Sequence, residues 1–358
     1  VRGALVALVV ATVSSPAAAA QTTAPVAAAQ TTAPAATAQT TAPAAEVDGS
    51  VLCTPADPAL AELSGLAVAG GRLFAVPDAG ADEAVFELGD DCAVLRRIPP
   101  AVDPYDVEDL AAGPDGRLWL GDLGDNRAAR DTVALISVDP QTGAGSLHRL
   151  AYPDGPRDAE TLLVPRDGVP LIVSKPLFGS AGLYRPAGGR SVDELPEPGP
   201  VPLERIGTVT LGPTDTPGGP VGGASSTLIT GGAISPDGTV AAVRTYTDVH
   251  LFHAPDGDVA AALAAGPSLR VPVPGEPQGE AVAFTADGDL LTASESAGGA
   301  LPPVRVWRDV VTLFRPVAAP EPVRTPRGAM PAAIAAGIVV VAAAAGGLWR
   351  RSSRRRRG

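Results

Sequence analysis

Between about residues 50 and 315, apolar positions come in runs of four to six, broken by Gly, Pro and Asp-Gly pairs. Runs this short, with such boundaries, predict strands rather than helices. Aligned on their turns, four segments repeat: EDLAAGPDGRLWLGD at 108–122, ETLLVPRDGVPLIVSK at 160–175, TGGAISPDGTVAAVRTY at 230–246 and EAVAFTADGDLLTASE at 280–295. A looser copy, LSGLAVAGGRLFAVPD, occupies 63–78. Asp115, Asp167, Asp237 and Asp287 each precede a glycine, a pair favoured in hairpin turns. The turn glycines Gly71, Gly116, Gly168, Gly238 and Gly288 are 45, 52, 70 and 50 residues apart, the length of a four-stranded propeller blade. Further strands are expected at Ala134–Val138, Gly182–Arg185, His250–His253 and Arg305–Trp307.

The pattern predicts an all-β fold: a β-propeller with five visible inner hairpins and five or six blades, an extra blade being accommodated by the strand-like Val201–Leu211. A β-sandwich requires no tandem hairpin, a β-helix uses shorter coils, and a doubly wound fold needs helices of 10–15 residues that the body lacks. Closure of the ring would use a strand near Val51–Cys53.

The ends read differently. Residues 1–20 carry Arg2, an apolar core and a small-residue tail, the pattern of a signal peptide. Residues 21–49 repeat QTTAP and predict a disordered Ala/Thr/Pro linker. After the propeller at 50–315 and a Pro-rich stalk at 316–331, residues 332–349 contain no charge. As a helix they would span about 27 Å, close to the hydrocarbon thickness of a bilayer. Six arginines follow in 350–358, marking that side as cytoplasmic. The expectation is a single-pass cell-membrane protein, its body outside, its tail inside, and the lipid bilayer its partner through one C-terminal transmembrane helix.

Charge sharpens this picture. The net −12 of the 358 residues is an average, since Arg2 and the six tail arginines lie outside the body. A body this acidic argues against nucleic acid as a partner. Cys53 and Cys92 are the only cysteines, and export permits a disulfide between them; two separate buried thiols are the alternative.

Candidate chemistry sits at the ends of the repeated hairpins. Seven residues before the turn Asp stand Glu108, Glu160, Thr230 and Glu280; just past the second strand stand Asp78, Asp122, Lys175, Arg244 and Glu295. Asp158 and Gln278 extend this polar ring. The first strand of a blade lines the channel, and its first residue and the loop after the second strand are candidates for the channel mouth, so Glu108, Glu160, Lys175, Arg244, Tyr246, Glu280 and Glu295 are candidate ligand contacts. Lys175 is the only lysine in the chain. Asp103–Asp109 holds four acids, and GDLGDN at 121–126 adds the only asparagine. Hard oxygen donors of this kind suit Ca²⁺. Glu108, Asp109, Asp122, Asp125 and Asn126 are therefore candidate metal ligands, against the alternative of an acidic loop held by its own turn hydrogen bonds. No GxSxG elbow, P-loop or dinucleotide fingerprint is present.

The motifs ELSGLAV, DVEDLA, GDLGDN, DAETLLV, RTY and QGEAVAF resemble bacterial exported β-propeller proteins of the phytase-like and SdiA-regulated-like neighbourhood. The resemblance implies channel-facing acids at Glu108, Glu160 and Glu280, with Lys175 and Arg244 as phosphate contacts. Three functions stay open: a membrane-anchored propeller that binds an anionic small molecule or cell-surface component at an acidic mouth through calcium; a calcium-dependent phosphoric- or carboxylic-ester hydrolase; or a structural cell-surface protein.

Overall fold

The structure is a computed structural model and describes residues 41–78 and 84–315. The expected signal, most of the linker, the stalk, the transmembrane helix and the basic tail lie outside them. Among the described residues no helix is long and apolar enough to cross a membrane.

The strands form five consecutive antiparallel groups. Blade 1 comprises Leu63–Ala69, Arg72–Pro77, Val85–Leu88 and Val94–Ile98. Blade 2 comprises Val107–Ala112, Leu118–Asp122, Val133–Val138 and Leu147–Ala151. Blade 3 comprises Ala159–Leu163, Leu171–Ser174, Ala181–Pro186 and Val201–Val209. Blade 4 comprises Ile229–Ile234, Val240–Thr245, Asp248–His253 and Leu269–Pro272. Blade 5 takes Gln278–Phe284, Leu290–Glu295 and Val304–Trp307 from the end of the body, and Gly49–Cys53 from its start. The first strands pack on one another in order, and that of blade 5 returns to that of blade 1. This is a propeller ring. The stretch after Val201 is the outer strand of blade 3, bridged in parallel to blade 2 through Val201 and Leu150, and adds no sixth blade.

Both faces of every blade are covered, which explains the unbroken apolar runs. Successive side chains of a strand point to opposite faces. Leu118 and Leu120 thus pack between blades 1 and 2, while Trp119 packs between blades 2 and 3. Leu162 and Leu163 likewise divide between the two faces of blade 3. The core is five such layers, one per gap between blades.

The hairpin turns need their glycines. In blade 2, Gly116 N–H donates to Gly113 O at 3.1 Å and Asp115 accepts from Arg117 N at 3.1 Å. Gly116 then adopts φ +78, a left-handed conformation that other residues rarely take.

Gly49–Cys53 pairs with Val304–Trp307 and closes the ring, as the sequence suggests. Cys53 is bonded to Cys92, in the outer hairpin of blade 1, with Cα atoms 5.6 Å apart. Both cysteines are buried in the layer between blades 5 and 1, so the bridge crosses the seam. The packed body begins ahead of residue 50: Ala42 is buried, and Arg270 N–H donates to Pro43 O while Ala45 N–H donates to Arg270 O.

Candidate functional site: an acidic channel mouth

Each inner strand begins with a β-bulge. Its ladder register shifts between Leu63 and Gly65, Val107 and Asp109, Ala159 and Thr161, Ile229 and Gly231, and Gly279 and Val282. The residues within these shifts include Ser64, Glu108, Glu160, Thr230 and Glu280. A bulge leaves its extra residue out of the pairing and re-aims its side chain. Two of these side chains tie the ring together: Ser64 Oγ donates to Glu108 O at 2.7 Å, and Thr230 Oγ1 to Gly279 O at 2.8 Å. The other three are glutamates at the channel mouth.

These glutamates converge with acids from neighbouring loops. Carboxylate oxygens of Glu108, Asp158 and Glu160 lie within 4.8 Å of one another, and so do those of Glu62, Asp78 and Glu295. Lys175 donates to Glu160 and, at 2.8 Å, to the Tyr246 hydroxyl, with its ammonium 4.8 Å from the Tyr246 ring centre. Gln278 Nε2 donates to Glu280 at 3.2 Å and to Glu295 at 2.5 Å. Glu160 Oε2, Glu280 Oε2 and Asp78 Oδ1 are buried without a hydrogen-bond partner among the described residues.

Burial and mutual repulsion make this a site of reluctant carboxylates. Burial, then the charges of Glu160 and Asp106, pushes Glu108 well above the usual range. Burial, then Glu160, does the same to Glu280. Burial raises Glu295 to about 8, with Asp78 and Glu62 adding to it, and Asp78 to about 6, with Glu62 and Asp106 adding. Glu160 reaches only about 7, because Lys175 opposes the effect of burial.

The remaining predicted residues are placed elsewhere. Arg244 is wholly buried, paired with Glu276 and donating to Ala281 O at 2.7 Å, so it braces the wall between blades 4 and 5 and does not face a ligand. Asp109 accepts from the backbone N–H groups of Leu110, Leu162 and Gly232 at 2.8, 2.8 and 3.1 Å. It thereby links the inner strands of three blades, and burial, partly offset by these bonds, raises it to about 8. Asp122 is held by Arg130 at 2.7 Å and by the N–H groups of Tyr105 and Asp106. Asp125 caps Ala129 N and Arg130 N at 2.8 and 2.9 Å. Asn126 is exposed. The set Glu108, Asp122, Asp125 and Asn126 is thus not a ligand shell: its loop members hold the loop, and Glu108 joins Asp158 and Glu160 instead.

No protein-family model and no curated protein matches the chain. Solved structures show a general likeness. A glutaminyl cyclase from Myxococcus xanthus is 12% identical with TM-score 0.43, over 72% of this chain and 94% of that one. A gluconolactonase from Xanthomonas campestris is 13% identical with TM-score 0.38, over 69% and 72%. A nidogen/laminin complex gives 9%, 0.37, 65% and 72%. At such values the propeller assignment rests on strand order and ring closure, and these proteins lend this chain no activity.

Glu62 is the acid that reading by motif overlooks. It stands two residues before Ser64, as Asp106, Asp158 and Gln278 stand two before Glu108, Glu160 and Glu280. Carrying the repeat register one step further back would have found it.

Proposed function

We propose that the chain is an exported, membrane-anchored propeller that binds a calcium ion at its acidic mouth and, through that ion, an anionic small molecule or cell-surface group. One observation carries this reading. Glu160 and Glu280 are each 3% exposed, and each holds a carboxylate oxygen that nothing in the described chain satisfies. A buried, unpaired carboxylate oxygen is costly unless a proton or cation meets it. Calcium prefers oxygens at about 2.3–2.6 Å, so ligands facing each other across it stand about 4.8 Å apart. The Glu108, Asp158 and Glu160 group fits that limit.

The described chain leaves the body through Val310–Phe314, where Val311 N–H donates to Gly288 O on the hairpin-turn side of the ring. Hydrolysis of phosphate or carboxyl esters is the second reading of the same site. Of the two cationic groups expected there, only Lys175 stands at the mouth among the described residues, since Arg244 is committed to the wall; binding is therefore the better-supported function.

Thermal melting with calcium and with chelator tests the proposal. A midpoint raised by calcium supports it, and an unchanged midpoint overturns it. A screen of phosphomonoesters and carboxyl esters at about pH 5–8 then separates enzyme from binder, the range over which such groups titrate.

A further inference from the structure

We propose that the Lys175 ammonium is a resident, tethered cation that fills one cation position of the mouth, between Glu160, Tyr246 and Glu280, and so limits how many calcium ions the mouth accepts. The inference deepens the reading of the mouth as a calcium site and names what sets its capacity. Lys175 is the only lysine in the chain, and its side chain is only 10% exposed. It donates to Glu160 and to the Tyr246 hydroxyl, which accounts for two of its three donors. The charges of both Glu160 and Glu280 act on the ammonium. Glu160 and Glu280, both 3% exposed, each keep one unpartnered oxygen. One positive charge therefore stands beside two carboxylates whose oxygens are still unsatisfied.

The surroundings of the ammonium are those of a hard cation: it bonds one carboxylate and one phenol oxygen, the Glu280 charge acts on it, and no other basic side chain is bonded to any of the three among the described residues. A tethered ammonium brings one charge to this position and cannot leave it. A divalent ion there would bring two, and would exchange with solution. Lysine thus leaves the mouth to bind calcium only beside this position, on the Glu108, Asp158 and Glu160 side or at Glu62, Asp78 and Glu295.

The test is calcium titration calorimetry and thermal melting of the full chain and of Lys175→Met, which keeps the apolar stem and removes the charge. The variant is expected to bind one more calcium ion per chain than wild type. It should melt lower than wild type in chelator, and its calcium-induced rise in midpoint should be about twice as large, as an added native-state ligand requires. Lys175→Arg retains the charge and should keep the wild-type stoichiometry. Equal stoichiometry and equal calcium response in wild type and Lys175→Met would overturn the proposal, as would an extra ion bound by Lys175→Arg. A Lys175→Met chain that folds in neither calcium nor chelator also overturns it, because an ion able to occupy the position would restore the fold. The two readings fail separately. A wild type that ignores calcium beside a variant that gains an ion defeats the proposed function alone; a calcium-binding wild type beside an unchanged variant defeats this inference alone.

Discussion

The two ends of the central channel are built by the same five strands and have opposite chemistry. At the hairpin-turn end, Leu66, Leu110, Leu162, Val164, Ile234 and Phe284 help line a cavity of about 440 Å³. At the bulged end, seven carboxylates share the mouth with one lysine, and the buried Asp109 bonds to the backbone of its own inner strand and to the inner strands of blades 3 and 4. The contrast teaches how one repeat serves two purposes. The turn end is regular and makes packing, whereas the bulges break the regularity and release one side chain per blade for other work.

Substitutions at the two ends should therefore differ in sign. Leu162→Ala, in the apolar half, should cost about 2–5 kcal/mol in urea unfolding and leave the calcium response intact. Loss of that response would mean the two ends are coupled. Next in size, Cys53→Ser should cost about 2–4 kcal/mol, again with calcium response preserved, because the bridge holds the seam and not the mouth. The acidic end supplies a pH effect of about 1.4 kcal/mol per pH unit for each proton retained. Asp78, Glu160 and Glu295 are held at about 6, 7 and 8, above their unfolded values. The folded chain thus keeps protons that the unfolded chain has lost, and stability in chelator should fall as pH rises from 5 to 8. Melting curves across that range check the sign, and a rise would refute the picture of reluctant carboxylates. Smallest, Glu108→Gln should raise the midpoint in chelator by about 2–4 °C, the shift given by about 1 kcal/mol in a domain of this size, while abolishing the gain from calcium.

Much of the fold was legible because its signals are local. A glycine that must be left-handed and an Asp that accepts from the N–H two residues on leave a spacing that can be counted, and the closing strand followed from it; the disulfide was one of two readings of the only two cysteines. The site was harder to read, for a reason the register makes plain. Lys175 directly follows Ser174, which pairs with Ala159; the equivalent position after Thr245, which pairs with Ile229, is Tyr246. Arg244 is two residues ahead of that position but pairs with Gly231 beyond the bulge, and its side chain enters the wall. Side-chain direction alternates along a strand, and an unforeseen bulge resets the count. The turn-capping roles of Asp122 and Asp125 were hidden for a different reason: a carboxylate that accepts from its own loop and one that waits for a cation are spelled with the same residue.

Gly49–Cys53 also decides how the body would bear a pull from its C-terminal side. Tension applied at Arg315 reaches Val310–Phe314 and then the strand Val304–Trp307, which is gripped on one flank by Leu290–Glu295 and on the other by Gly49–Cys53. From Gly49–Cys53 the covalent bridge to Cys92 hands the load to blade 1. The last blade is thus clamped rather than left to peel, and reduction of a single bond would change the molecule's tensile strength before it changed its shape.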